Sequence, residues 1–323
     1  MADIAGKTVT VFGGSGFIGR HLVKRLAGEG HVVRVGVRDV DAALFLKVMG
    51  KVGHIVPIRA DVGDPVAVAQ AVAGSHWVVN LTGILAPMGR QTFARVHVQG
   101  AENVAKATAV EGAERLVHMS ALGADAKSHS LYARSKAEGE ARVLSAFPKA
   151  TILRPSVVFG PEDRLFNLFA ELSRFSPVLP VLGASWCGQE GTQFQPVYVG
   201  DVADAIISAL KRSDAEGQTY ELGGPEVMSA RSMMASIVKH TGRKRWLAPA
   251  PYWALSLEAT FLGLLPGKPL TLDQVRMLWE PNVLSGKAKG LADLGVAATP
   301  VEAILSSYLN RYRLPKRRRV HPA

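Results

Sequence analysis

The sequence predicts an α/β fold, a doubly wound parallel sheet with a smaller C-terminal α/β lobe, and three observations predict it. The run Thr8-Val9-Thr10-Val11-Phe12 is β-branched and apolar, as a buried strand must be, and passes straight into Gly13, Gly16 and Gly19 and a helical pattern carrying Leu22, Val23 and Leu26. Further strand-like runs at 31–37, 54–59, 76–81, 115–119 and 150–154 alternate with helical patterns, among them 65–73 and 92–111. Alternation of this kind builds a parallel sheet covered by helices on both faces. At 323 residues and 48% hydrophobic, the chain can bury a large core. The expected division is a sheet domain over 1–160 and a smaller lobe over 161–323, partly interleaved with the sheet.

Composition narrows the function classes. A single cysteine, Cys187, rules out an internal disulfide, fits a reducing compartment and cannot hold an iron–sulfur cluster. The nine histidines show no paired spacing with cysteine or carboxylate, so no metal is expected. The net charge of +11 is uneven, with fifteen Lys and Arg against five Asp and Glu from residue 228 onward. No stacking aromatics interleave with those basic residues, which argues against nucleic acid and for an anionic membrane surface or acidic partner. The first strand begins by about residue 8, leaving no expected room for a secretory signal or transit peptide.

The glycine turn points to a dinucleotide. A pyrophosphate must approach bare backbone with its charge facing a helix N-terminus, which makes Gly13, Ser15, Gly16, Phe17, Ile18, Gly19 and Arg20 the candidate contacts. The second strand ends Val37-Arg38-Asp39. An acidic side chain there suits the ribose 2′-hydroxyl of NAD(H), and an arginine suits a 2′-phosphate. Arg38, with Arg20 as a second positive charge, favours NADP(H), and Asp39 keeps NAD(H) open. Asp61 and Val62 follow the third strand, where a carboxylate can hold the adenine amino group. After Asn80 come Leu81, Thr82 and Gly83, small enough overall to let a cofactor lie along the sheet edge.

Ser120 ends the fifth strand, and Tyr132 and Lys136 lie four residues apart on one face of the next helix. Two roles fit. A neighbouring ammonium would lower the phenol pKa and prepare Tyr132 for proton transfer during hydride exchange, with Ser120 positioning a substrate oxygen. Alternatively Tyr132 and Lys136 hold the nicotinamide ribose without turnover.

Together these residues resemble the extended and atypical short-chain dehydrogenase/reductase superfamily, whose sheet is of the Rossmann type. The likeness continues through Leu153-Arg154-Pro155-Ser156, where Pro155 and Ser156 would border the nicotinamide, and through Gln195–Val199 to Asp201, which looks like a helix N-cap. Within the superfamily, 147–167, Arg174-Phe175 and the Gln195–Val199 run resemble the NAD(P)H-binding accessory subunits of respiratory complex I. The stretch from Ser120 to Tyr132 is shorter than in sugar-nucleotide enzymes, and Leu131 stands where they commonly have proline. The resemblance implies an assembly role, with other complex I subunits as partners, on the cytoplasmic face of a bacterial inner membrane or the mitochondrial matrix side. The alternative it leaves is a stand-alone NADP-dependent reductase or sugar-nucleotide epimerase.

The C-terminal part carries an apolar segment, 246–266, and a basic tail, 311–323. Pro249 and Pro251 restrict a helix there to 252–265, about 20 Å long and too short to span a bilayer. It suits either a core helix or an amphipathic foot with Trp246, Tyr252 and Trp253 at a boundary. Thr299-Pro300-Val301-Glu302 reads as a helix start with an N-cap threonine and capping-box glutamate.

Overall fold

A computed structural model describes residues 6–185, 188–262 and 270–313. Six strands follow the sequence reading closely: β1 (Thr8–Phe12), β2 (Val32–Val37), β3 (Ile55–Arg59), β4 (Trp77–Asn80), β5 (Arg115–Met119) and β6 (Thr151–Pro155). A seventh, Thr219–Leu222, pairs with β6, so the parallel sheet runs from it through β6, β5, β4, β1 and β2 to β3. The order reverses between β1 and β4. In doubly wound sheets the crevice beyond the carboxyl ends of those two strands is where ligands bind.

Both faces are covered because successive strand residues point to opposite sides and apolar ones, Val, Ile and Leu above all, dominate on each. On one side Val9, Val11, Val33 and Val35 pack with Leu22 and Leu26 of α1 (Phe17–Gly28) and Ile206 and Leu210 of α6 (Val199–Lys211). On the other, Val78, Leu116 and Ile152 pack with Val68 of α2 (Pro65–Val72), Val104 of α3 (Gly100–Glu111) and Val143 of α4 (Leu131–Ala146). The predicted helix over 92–111 is divided: Ala94–Gln99 is a π-turn that runs into α3.

A second core lies beyond the sheet. It joins Phe166 and Phe169 of α5 (Leu165–Phe175), Met233, Met234 and Ile237 of α7 (Ala230–Thr241) and Leu305 and Leu309 of α10 (Val301–Leu309). The apolar segment divides into a strand, Trp246–Ala250, paired in parallel with Val178–Leu182, and α8 (Tyr252–Leu262). Leu255 and Ala259 of α8 pack on Val275 of α9 (Leu272–Met277). Residues 263–269, Cys187 and most of the basic tail, 314–323, lie outside the described residues. Among the described residues, no helix is long and apolar enough to cross a membrane.

Two expected caps are corrected. Asp201 is not an N-cap: α6 starts at Val199, and the Asp201 carboxylate accepts the backbone N–H (2.6 Å) and hydroxyl (2.8 Å) of Thr299. With its hydroxyl spent there, Thr299 caps nothing, and α10 has Pro300 at its N-cap without a side-chain bond. Glu302 therefore turns to α7, where its carboxylate accepts from Ser236 (2.7 Å) and Lys239 (3.0 Å) and pairs with His240 (2.8 Å).

A dinucleotide site at the sheet switch point

The turn after β1 is closed by a backbone bond between its own glycines. Gly13 has φ +77°, and its carbonyl accepts the N–H of Gly16 at 3.0 Å. A Cβ on Gly19 would stand 2.3 Å from the Gly13 oxygen, so only glycine lets α1 start this close to the strand. Gly16 at the N-cap supplies no side-chain acceptor, which leaves the N–H groups of Phe17, Ile18 and Gly19 without a capping side chain. Arg20 folds back over the turn: it donates to the carbonyls of Ser15 and Gly16 at 3.3 Å, and its guanidinium lies 5.1 Å from the Phe45 ring.

At the end of β2 the two candidate side chains separate. Asp39 accepts the N–H of Ala42 at 3.1 Å, whereas Arg38 is exposed and has no partner among the described residues. Asp61 accepts from Gly63 N (2.9 Å), Gln91 (3.4 Å) and Arg95 (3.4 Å). Burial alone would raise its carboxyl pKa, but the Gly63 bond and the Arg95 charge outweigh it and hold the pKa low. Val62 is core, and its carbonyl accepts from Asn103.

The loop after β4 is pinned from both ends. Leu81 N–H donates to Phe12 O at 2.9 Å, and Thr82 uses its N–H and hydroxyl on Asn80 Oδ1. Ile84 N–H donates to His97 Nε2 at 3.0 Å, which fixes the proton on Nδ1, 2.8 Å from the Ser135 hydroxyl. His97 thus stays neutral: burial and the charge of Lys136 push its pKa down to about 2. The imidazole, carried on the π-turn, meets the Tyr132 ring edge to face at 5.4 Å and stacks on Phe93 at 5.3 Å.

Ser120 follows β5 and Lys136 reaches the end of that strand, while the Tyr132 ring lies against Phe93 and His97, and the three side chains do not bond one another among the described residues. Lys136 is 4% exposed and its Nζ donates to Met119 O at 3.0 Å, beside Ser120. Burial lowers its pKa to about 8, against the pull of Glu140. Glu140 is itself held by Arg154 through two bonds of 2.9 and 2.5 Å. Burial pushes the Tyr132 phenol up to about 12, opposite to the lowering expected from its lysine neighbour. The reason is that the ammonium is committed to a carbonyl, and a phenolate here would lose its water without gaining a donor. Pro155 O accepts the N–H of Leu122, and Ser156 donates to Asn282 Oδ1 at 2.6 Å.

A nicotinamide dinucleotide fits these residues. The Ser120 hydroxyl is buried with no partner among the described residues, which a ligand oxygen would satisfy. A Cβ on Gly83 would stand in ordinary contact with Lys136 Nζ, at 3.4 Å, so the loop after β4 passes directly beside the ammonium. The glycine turn offers a diphosphate the first-turn N–H groups of α1, which no side chain caps among the described residues. Phe93, His97, Asp273 and Asn282 join the site although no local pattern marks them. A Thr-x-x-Gln capping box at 271–274 is legible, but not the reach of Asp273 to α4.

Fold and site define a dinucleotide-binding protein of the short-chain dehydrogenase/reductase type. Two comparisons make the placement specific. The profile of the 3-beta hydroxysteroid dehydrogenase/isomerase family matches residues 10–227. The alpha subcomplex subunit 9 of mitochondrial NADH dehydrogenase [ubiquinone] 1 from Mus musculus is 36% identical over 97% of this chain and 82% of its own length. The 40 kDa subunit of mitochondrial NADH-ubiquinone oxidoreductase from Neurospora crassa is 32% identical over 97% of this chain and 81% of its own. The chain belongs to the 3-beta hydroxysteroid dehydrogenase/isomerase family and, within it, to the group of these oxidoreductase subunits. A nucleoside-diphosphate-sugar epimerase from Staphylococcus aureus shares the fold, with TM-score 0.73 at 16% identity over 93% of this chain and 99% of that one.

Proposed function

We propose that this chain is an accessory subunit of a respiratory NADH:quinone oxidoreductase that holds NADP(H) as a fixed structural ligand. The observation that carries this reading is where likeness to the subunits extends. The general family profile stops at residue 227, whereas the subunit relatives match over 97% of the chain and so continue through the basic, apolar C-terminal part. That part is where a complex would be gripped. A tightly held ligand supports such a role by mass action, since a thousandfold excess over its dissociation constant adds about 4 kcal/mol to the folded state. The bound dinucleotide would supply redox capacity at its nicotinamide. The chain's own residues would bind the diphosphate at the α1 turn, the 2′-phosphate at Arg38 and the nicotinamide ribose at Tyr132 and Lys136.

A membrane contact belongs to the same reading. Trp246 N–H donates to Pro177 O and the residue pairs with Val178, which leaves Trp246 82% exposed, and Phe175, at the end of α5, is 77% exposed. Arg174 and Lys244 are exposed next to them, and Trp253 of α8 is also largely exposed. Exposed aromatic side chains in a segment rich in cations suit the edge of an anionic bilayer, here the cytoplasmic face of a bacterial inner membrane or its mitochondrial counterpart.

The test is affinity purification of the tagged chain from native membranes in mild detergent. Stoichiometric recovery of quinone-oxidoreductase subunits is expected, and a lone protein would overturn the assignment. A second reading, a stand-alone NADP-dependent reductase, rests on the retained Ser120, Tyr132 and Lys136. It requires that Tyr132→Phe abolish substrate-driven cofactor oxidation while sparing cofactor binding.

A further inference from the structure

We propose that Asp273 and Asn282 are positioning residues for the dinucleotide site, so that cofactor binding and docking of segment 271–284 stabilise each other. This rests on the reading that the chain binds NADP(H). Asp273 stands on α9, yet its carboxylate is the acceptor for the first turn of α4. Oδ1 takes the N–H of Leu131 at 2.7 Å, and Oδ2 takes the N–H of Tyr132 at 3.0 Å and the Ser130 hydroxyl at 2.9 Å. Ser130 is the N-cap of α4, accepting from Ala133 N–H. A carboxylate at the positive end of a helix is a favourable placement, and here it fixes the turn that carries Tyr132 and leads to Lys136.

Asn282 performs a matching task at the turn after β6. Its Oδ1 accepts from the Ser156 hydroxyl at 2.6 Å and from Val157 N–H at 3.2 Å. Its own N–H donates to Gln193 O at 2.8 Å, and its carbonyl accepts Gln195 N–H at 3.0 Å. The turn after β6, which closes the nicotinamide end, is therefore tied to the same segment as α4.

Between these two anchors, Val275 is fully buried against Leu255 and Ala259 of α8, and the Trp279 ring meets His129 at 6.3 Å. α9 has only six residues and could not hold its shape alone. Its position is set by α4 on one side and α8 on the other. A ligand that fixes α4 and the 155–157 turn thus favours the docked segment, and the docked segment favours the ligand by the same factor.

Hydrogen exchange of the full chain with and without NADPH tests this, together with titration of NADPH affinity. In the wild type, NADPH is expected to slow exchange both at 13–19 and at 271–284. Asp273→Ala should weaken NADPH about tenfold, the size of one lost helix cap, and abolish ligand protection at 271–284 while leaving it at 13–19 under saturation. Asp273→Asn, which keeps one acceptor oxygen and turns an amide NH2 toward a backbone N–H, should recover only part of the affinity, and Asn282→Ala should lose affinity independently. Protection at 13–19 without any at 271–284 in the wild type, or Asp273→Ala affinity within twofold of it, overturns the coupling alone. No protection anywhere overturns the dinucleotide reading, and the coupling with it.

Discussion

Lys136 shows what the site costs the chain that carries it. A lysine 4% exposed, bonded to one carbonyl, keeps its ammonium only at the expense of folding, and burial brings its pKa to about 8. The sign follows from linkage. The unfolded lysine still binds its proton between pH 8 and 10.5 while the folded one sheds it, so stability rises with pH across that window. Lys136→Met should remove this rise and stabilise the ligand-free chain at pH 7 by about 1–2 kcal/mol, while weakening NADPH. Thermal unfolding from pH 7 to 10 checks it. Arg38 makes the opposite case, exposed and costless, and Arg38→Ala should reduce the preference for NADPH over NADH about tenfold in a binding titration. Glycine spacing and the Tyr132–Lys136 interval were legible because they are local. The direction of the Tyr132 pKa was not, since it depends on burial and on where the lysine points.

At the scale of elements, strands and helices were legible and caps were not. The pattern Thr299-Pro300-Val301-Glu302 satisfies every local rule for a capping box, but Asp201, about a hundred residues away, takes the threonine hydroxyl first. The freed Glu302 then joins α10 to α7. Burial alone would raise its carboxyl pKa, but hydrogen bonds from Ser236, His240 and Lys239 win and bring it to about 2. An acid with a depressed folded pKa stabilises above its unfolded value and loses that contribution as pH falls. The window here is from about 4.5 down to about 2. The side chain is 42% exposed, so solvent screening limits the gain to about 1 kcal/mol. Glu302→Gln should cost that much at neutral pH and flatten the acid limb of the unfolding curve between pH 4.5 and 2, read by circular dichroism.

For the whole molecule, charge and apolar exposure are segregated, and the segregation is testable as a mode of attachment. The first 227 residues are nearly neutral in sum, and the excess of cations lies in the C-terminal part. Trp246 and Trp253 are exposed in that part, with Lys244 among its exposed cations. The two contributions separate by salt. Attraction of exposed cations to an anionic surface acts over about 10 Å at 0.1 M salt and about 3 Å at 1 M, whereas burial of indole and phenyl surface does not weaken with salt. Sedimentation of the chain with anionic vesicles should therefore fall severalfold between those salt concentrations and keep a residual component. Trp253→Glu should remove part of that residue at both concentrations. Lys244→Glu should act at low salt and lose its effect at high salt. Binding that vanishes entirely at 1 M would make the exposed tryptophans bystanders and leave electrostatics alone to bring this lobe to a membrane. Binding that ignores salt would turn the excess of cations toward acidic partner subunits instead.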